Sequence, residues 1–174
     1  MSTPKKPVEI YWSPVYETLY DAWFQELTSE ALSQRWQFID TLTKFLIAVT
    51  ASGSAVAGWT LWTNEMGKYA WAVLAGLASV LSIVNGVIEV PDRLKQQQGL
   101  GNDYRKLRVD LETFRLNLLI GIDADKAESS WTSIRNQYEE LMSRTPPDML
   151  FTKGLSRNVE SRLNDLLKTK GYTK

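Results

Sequence analysis

The chain has 174 residues, and its 20 Lys and Arg balance its 20 Asp and Glu, so the net charge is zero. This balance gives no support for a surface that coats nucleic acid or for an enzyme that acts on acidic substrates. The chain contains no Cys and no His, which excludes disulfides, thiolate nucleophiles, Cys/His zinc sites and a histidine general base. Since we also find no phosphate-binding loop and no metal-ligand spacing, we expect neither an enzyme nor a cofactor.

The N-terminal part is predicted to be a flexible segment followed by an amphipathic helix. Residues 1–13 contain two prolines and little periodicity, which is typical of a mobile terminus. Ser13 and Pro14 are typical of a helix start, with an N-cap serine and a proline at the first helical position. We expect a cytoplasmic helix over 14–41, which Thr28-Ser29 could interrupt or cap again. Its apolar face consists of Val15, Leu19, Ala22 or Trp23, and Leu27.

Two long runs without a charged residue follow, and they indicate a membrane hairpin. They cover 45–62 and 69–88, which is 18 and 20 residues. Each is long enough to cross a bilayer core about 30 Å thick. We predict transmembrane helices over 42–63 and 69–89 and an external turn at 64–68; the alternative is a pair of buried helices in a soluble protein. Four aromatic residues beside the turn favour the membrane, as an interfacial belt would: Trp59, Trp62, Tyr69 and Trp71.

The basic residues predict the orientation of this hairpin. Only Lys68 lies in the turn, whereas seven Lys and Arg flank the open end. Because basic residues stay on the cytoplasmic side, both termini are expected there. The seven are Arg35, Lys44, Arg93, Lys95, Arg105, Lys106 and Arg108.

The C-terminal part is predicted to contain a pair of helices within 90–147. Pro91 and the segment 99–102 indicate a kink or short break, after which Asn102 or Asp103 can cap a helix that Gly121 ends. Asp123 can cap the next helix, which Thr145-Pro146-Pro147 stops. Spacings of three and four in both helices predict an antiparallel coiled-coil hairpin. The repeating residues are Tyr104, Leu107, Leu111, Phe114 and Leu118, then Ala124, Ala127, Trp131, Ile134, Tyr138 and Leu141.

A last amphipathic helix is expected within 148–174, before Gly171. Since no segment predicts a strand, the expected fold is all-α. It is a two-helix transmembrane hairpin with N- and C-terminal cytoplasmic amphipathic helices, the C-terminal part being the coiled-coil hairpin. The apolar face of the last helix consists of Leu155, Val159, Leu163, Leu166 and Leu167.

This order of parts resembles the SLATT family, the two-transmembrane effectors associated with SMODS nucleotidyltransferases and SLOG proteins in bacterial anti-phage systems. The similarity covers roughly 15–147 and depends on the pair of spans, on the segment YRKLR at 104–108, and on YEEL at 138–141 followed by Pro146-Pro147. It implies a homo-oligomer that forms a pore or ion channel in the bacterial inner membrane and depolarises or lyses the host in abortive infection. It also implies gating by a nucleotide or oligonucleotide from a separately encoded nucleotidyltransferase or other regulator.

Small and partly polar residues of the second run are the candidate pore lining. One two-span chain cannot enclose a channel, so several copies, a tetramer by default, would have to surround an axis. The same residues could instead let membrane helices pack closely. Glu65 and Glu89 would place acidic rings at the two mouths and favour cations, unless they are solvated helix ends. The candidates are Ala75, Ser79, Ser82, Asn85, Gly86 and Glu89, Asn85 being the one amide in either run.

Basic residues after the second run are the candidate ligand site, because they combine cations with an aromatic ring that suits a nucleotide. The alternatives are positive-inside topology, attraction to anionic lipid headgroups, and local pairs such as Arg108–Glu112. The candidates are Arg93, Lys95, Tyr104, Arg105, Lys106 and Arg108. The second hypothesis for the whole chain is a non-conducting membrane adaptor, whose helical hairpin recruits a cytoplasmic partner.

Overall fold

The computed structural model describes residues 7–61 and 65–172, and these form five α-helices and no strand. The side chains of 50–66 and of several residues between 68 and 88 lie outside the described residues. The predicted all-α class is confirmed. The helices are α1 (Pro7–Leu61), α2 (Glu65–Ile88), α3 (Val90–Ile120), α4 (Ala124–Arg144) and α5 (Lys153–Thr169).

The chain divides into two compact units. One comprises Met1–Leu32 and Gln97–Lys174, and the other comprises Ser33–Gln96. We call the first the bundle unit, because it contains the N-terminal part of α1, most of α3, and all of α4 and α5. We call the second the apolar unit, because it contains both charge-free runs.

The first helix begins at Pro7 and continues through Pro14, so the predicted start at Ser13-Pro14 is wrong. Tyr11 gives the physical reason. Its ring centroid lies 6.0 Å from the centroids of both Phe114 and Trp131, so this turn packs against α3 and α4. Such contacts outweigh a local start signal. The flexible segment predicted for 1–13 is therefore helical from Pro7 onward, and 1–6 lie outside the described residues.

The predicted interruptions at Thr28-Ser29 and at 99–102 are wrong as well. Helix α1 continues through Thr28 and Ser29, both buried, and α3 continues through Gly99 and Gly101. A Cβ added to Gly101 would lie 3.5 Å from the Ser29 Cβ, so two small residues mark a close approach of α1 and α3. Packing of the two helices stabilises a conformation that glycine alone disfavours. Consequently neither Asn102 nor Asp103 caps a helix.

The chain breaks between α2 and α3 at Glu89, where φ is +53°. Pro91 lies in the first turn of α3, where its missing N–H costs no helical hydrogen bond; inside a continuous helix it would remove one. Helix α2 therefore ends at Ile88, one residue before the end that we predicted for the second span. At the other end α2 begins at Glu65, so 65–68, which we assigned to the turn, are helical. Residues 62–64 lie outside the described residues.

The predicted ends between α3 and α4 are confirmed. Gly121 has a φ of +97°, and its N–H and that of Ile122 both donate to the Asn117 carbonyl at 3.1 Å. Glycine adopts this left-handed conformation without a steric penalty. Asp123 caps α4, its side chain accepting from the Asp125 N–H at 3.1 Å.

Long-range contacts give the directions of the four helices in the bundle unit. The hydroxyl oxygens of Tyr104 and Thr145 lie 2.8 Å apart, and the Phe114 ring stacks on the Trp131 ring. Helices α3 and α4 are therefore antiparallel, as predicted. The contacts of α1 with α3, at Tyr11–Phe114 and Glu26–Arg105, make that pair antiparallel too. Helix α5 runs opposite to α1, because Arg162 pairs with Glu30 while Lys170 lies over Trp23. Thus α1 and α4 run one way, and α3 and α5 run the other.

The core of the bundle unit consists largely of the predicted apolar residues. Burial of each large aliphatic side chain contributes about 1.5–3 kcal/mol, which makes this core the main stabilising term. The prediction fails at Ala124, which is exposed, whereas Trp131, Tyr138 and Leu166 are half-buried. The predicted residues that are buried are Val15, Leu19, Ala22, Trp23, Leu27, Tyr104, Leu107, Leu111, Phe114, Leu118, Ala127, Ile134, Leu141, Leu155, Val159, Leu163 and Leu167.

The apolar unit differs in that many of its large apolar side chains are exposed. Its buried residues include Trp36, Thr43, Ala78 and Val90. Measured over the described residues alone, none of the helices combines the length and the apolar character that a bilayer crossing requires. The large apolar side chains that are exposed in this unit are Phe38, Leu42, Phe45, Ile47 and Val49 of α1 and Tyr69, Val73, Leu77, Val80, Ile83 and Val87 of α2.

Candidate functional site: the small-residue face and the basic segment

Four of the six candidate pore-lining residues share one face of α2, which we call the small-residue face: Ala75, Ser79, Ser82 and Gly86. Their spacings of four, three and four place them in a row along the helix. Ser79, Ser82 and Gly86 are exposed and Ala75 is half-buried. The Ser79 hydroxyl donates to the Ala75 carbonyl at 2.9 Å, so its hydrogen is used within the helix while its oxygen can still accept.

The small-residue face remains largely uncovered in the single chain. A Cβ added to Gly86 would meet no atom within 4 Å. Glu89, which we placed at the end of this face, lies beyond α2, because the break at that residue ends the helical register. The backbone carbonyl of Glu89 accepts hydrogen bonds from the N–H groups of Asp92 and Arg93 in the first turn of α3, at 2.9 and 3.0 Å. The side chains of Asn85 and Glu65 lie outside the described residues.

The candidate ligand-binding residues are divided between the two units. Arg93, half-buried, and Lys95, exposed, belong to the apolar unit. The segment 104–108 belongs to the bundle unit, where Lys106 is exposed. Four of the six candidates, those within 104–108, therefore belong to one unit.

Tyr104 is a core residue, which corrects its predicted role as the aromatic ring of a nucleotide site. The residue is 0% exposed, and its hydroxyl lies 2.8 Å from the Thr145 Oγ1. Thr145 donates its single hydroxyl hydrogen to the Leu141 carbonyl at 2.8 Å, so Tyr104 is the donor in their bond. Burial raises the pKa of Tyr104, whereas the positive charge of Arg144 acts in the opposite direction. A ring held in this way presents no face to a ligand.

Arg105 and Arg108 both bind a carboxylate that the sequence interpretation missed, Glu26. The Arg105 Nε lies 2.9 Å from the Glu26 Oε1, and the Arg108 Nε lies 2.7 Å from the Oε2. The Glu26 side chain is only 9% exposed. Its position one turn after Ala22 and two turns after Leu19, on the apolar face of α1, was the available signal. The hydrogen bond to Glu26 raises the pKa of Arg105.

The pair of arginines is the centre of a larger ionic cluster, which we call the Glu26 cluster. The Arg108 guanidinium carbon lies 4.1 Å from the Trp23 ring centroid, and one of its terminal nitrogens contacts Glu112 at 3.3 Å. Lys170 contacts the same Glu112 at 3.4 Å and lies 4.7 Å from the Trp23 ring. The local pair Arg108–Glu112, which we considered as an alternative to ligand binding, is therefore present. This cluster joins α1, α3 and the end of α5.

Neither a protein-family model, nor a curated protein, nor a solved structure matches the chain. The similarity to the SLATT family remains a prediction from the sequence. Within 7–61 and 65–172, no group of His, Cys, Asp or Glu side chains is placed to hold a metal ion.

Proposed function

We propose that this chain is the subunit of an oligomeric membrane pore that acts as an effector in bacterial anti-phage defence. In this proposal the runs 45–62 and 69–88 cross the inner membrane, and both termini are cytoplasmic. Several copies, four by default, surround an axis. A nucleotide or oligonucleotide from a partner nucleotidyltransferase gates the pore. The chemistry is passive ion flow, so no enzyme activity is involved.

The apolar unit supplies the observation that carries this proposal. Large apolar side chains are exposed along the second half of α1 and along α2. The most exposed include Phe38, Phe45, Ile83 and Val87, at 67%, 63%, 66% and 77%. Exposing apolar surface to water costs about 25 cal/mol per Å², so patches this extensive are normally covered by a partner or a membrane. The charge-free lengths of 18 and 20 residues match a bilayer core. Lipid is therefore the covering that fits both the length and the pattern.

The small-residue face supports an oligomer rather than a solitary hairpin. Ser79, Ser82 and Gly86 are exposed in the single chain, so this face is available to border an axis that further copies surround. In a ring of copies the same face borders the axis, where the hydroxyl oxygens can contact permeating water and ions. The bundle unit stays outside the bilayer, because its surface carries ion pairs such as Arg144–Asp103 and Arg135–Glu139.

An ion-flux assay on purified full-length protein in liposomes tests this proposal. The double variant Ser79→Leu with Ser82→Leu fills the proposed lumen with apolar bulk, and we expect at least a tenfold loss of flux. The matched control is Val80→Leu with Val87→Leu, which adds bulk to exposed positions outside this face and should conduct like the wild type. Flux is measured alone and with mononucleotides or short oligonucleotides added. Wild-type flux in the serine double variant would refute the assignment of this face to the lumen.

A non-conducting membrane adaptor is the second candidate function. It is favoured by apolar side chains near the end of α3, where Leu116, Leu119 and Ile120 are 52%, 58% and 85% exposed. Such a patch on a well-packed unit fits a partner protein. Absence of flux under every condition, together with loss of partner recruitment in Leu119→Ser with Ile120→Ser, would favour the adaptor.

A further inference from the structure

A pocket in the bundle unit combines aromatic rings with a guanidinium. It has a volume of about 350 Å³, within the range of roughly 300–1,000 Å³ that small-molecule sites occupy. Residues from α1, from α3 and from the segment after α5 meet there. The lining residues are Trp12, Ser13, Tyr16, Arg115, Gly171 and Tyr172.

Arg115 is a cation with one buried donor that is unsatisfied among the described residues. Its guanidinium carbon lies 4.4 Å from the Tyr172 ring centroid, and its buried Nε has no hydrogen-bond partner among the described residues. Glu112, one turn earlier on α3, is engaged by Arg108 and Lys170 at 3.3 and 3.4 Å. Arg115 also lines the pocket, where a guanidinium suits an anionic acceptor that arrives with a ligand.

The end of α5 positions Tyr172 against Arg115. Gly171 has a φ of +72°, a conformation that glycine adopts without strain. The Gly171 N–H donates to the Lys168 carbonyl at 3.1 Å, and the Tyr172 N–H donates to the Leu167 carbonyl at 2.9 Å. These two bonds form a helix cap that fixes the backbone of Tyr172. The wall of the pocket is therefore part of the folded unit and not a chance approach of a loose end.

We propose that this pocket binds a small ligand that combines a planar aromatic ring with an anionic group, as a mononucleotide does. The rings of Trp12, Tyr16 and Tyr172 offer stacking surfaces, on which any nucleobase can lie. The Arg115 guanidinium matches the geometry of a phosphate, with which it can form two parallel hydrogen bonds. Ser13 donates to the exposed Glu17 carboxylate at 3.0 Å, so the guanidinium has to outweigh one neighbouring negative charge.

This inference deepens the proposed function, because it places the gating signal at Arg115 and not at 104–108. The gating role of the pocket rests on the proposed function, but ligand binding to the pocket does not, because binding can be measured without ion flow. The segment 104–108 is the weaker site, because Tyr104 is buried and both of its arginines are bound to Glu26.

Isothermal titration calorimetry on the full chain in detergent micelles tests the site, with AMP and UMP as probes. Adenosine and inorganic phosphate serve as the half-ligands. We expect at least one nucleotide to bind at least tenfold more tightly than either half-ligand. Arg115→Gln should weaken that binding at least tenfold, and Arg115→Lys should weaken it less. The matched control Arg157→Gln removes an exposed arginine of α5 and should bind like the wild type.

Two results would overturn the inference: neither nucleotide binds the wild-type chain, or Arg115→Gln binds as tightly as the wild type. Circular dichroism and thermal unfolding establish that each variant is folded. If Arg115→Gln is unfolded, Trp12→Leu replaces it, because Trp12 is 42% exposed and its loss spares the core. An at least tenfold loss of affinity in that variant supports the site, and unchanged affinity contradicts it. The ion-flux assay tests the pore, and calorimetry tests the pocket. Either proposal can therefore fail while the other stands.

Discussion

The Glu26 cluster allows a quantitative prediction, because its two arginines differ in exposure. The Arg105 side chain is 60% exposed and the Arg108 side chain is 13% exposed, yet both contact the same carboxylate. Exposed pairs contribute about 0–1 kcal/mol, since water screens the charges. Removal of one partner from a buried pair costs about 3–5 kcal/mol, because a charge is left without compensation. Hydrogen bonds to charged groups contribute about 1.5–3 kcal/mol.

From these values we expect Arg105→Gln to lower the free energy of unfolding by less than about 1 kcal/mol. Arg108→Gln should lower it by about 2–4 kcal/mol, because Glu26, Glu112 and the Trp23 ring lose their contacts together. The decrease in the free energy of unfolding caused by Glu26→Gln should fall in the same range, since the amide keeps the shape of the carboxylate but not its charge. Double-mutant cycles should give a coupling of about 1.5–3 kcal/mol for Glu26 with Arg108 and below about 1 kcal/mol for Glu26 with Arg105.

Urea unfolding of the full chain in mild detergent measures these values. Tryptophan fluorescence is a suitable signal, because Trp23 lies within the cluster. The Arg105 coupling should also weaken in high salt more than the Arg108 coupling does, since exposed charges are screened more strongly. Equal costs for Arg105→Gln and Arg108→Gln, or a coupling near zero for Glu26 with Arg108, would refute the reasoning from exposure.

Two further predictions concern Tyr104 and Gly99. Burial raises the pKa of Tyr104, so its contribution to stability is complete below the unfolded value of about 10 and is lost as pH rises through the higher folded value. The melting temperature of Tyr104→Phe should therefore fall less steeply than that of the wild type above pH ~10; parallel curves would contradict the shift. Gly99→Ala should stabilise α3 by about 0.5–1 kcal/mol, since a Cβ there meets no atom within 4 Å. Gly121→Ala, with its φ of +97°, is the control and should destabilise by about 1–2 kcal/mol in the same urea titration.

Much of the bundle unit could be predicted from the sequence, because the signals concerned are local. The spacing of Leu107, Leu111 and Leu118 requires only that a helix turn once in 3.6 residues, and all three are buried. Gly121 and Asp123 end and cap their helices through hydrogen bonds to residues two to five positions away. Patterns of this range are complete within one segment, so they need no knowledge of the rest of the fold.

Helix continuity was decided by tertiary packing and not by local preference. Pro14 and Gly101 both carry sequence signals for a helix boundary, yet each lies inside a helix. A boundary signal contributes about 1–3 kcal/mol, which several aromatic or aliphatic contacts can outweigh. Tyr11 against Phe114 and Trp131 provides such contacts for the first turns of α1.

The sequence by itself determined the all-α class, most of the buried residues of the bundle unit and the helix ends at Gly121 and Asp123, together with the two charge-free runs on which the membrane proposal depends. Only the tertiary structure decided what the basic segment does. In the sequence Arg105 and Arg108 were candidate ligand-binding cations, with Glu112 as a possible local partner of Arg108, but Glu26 binds them from 79 and 82 positions away. The aromatic pocket is likewise assembled from α1, α3 and the end of α5. Contacts at such separations depend on how the helices are arranged, and no periodicity within one segment records that arrangement.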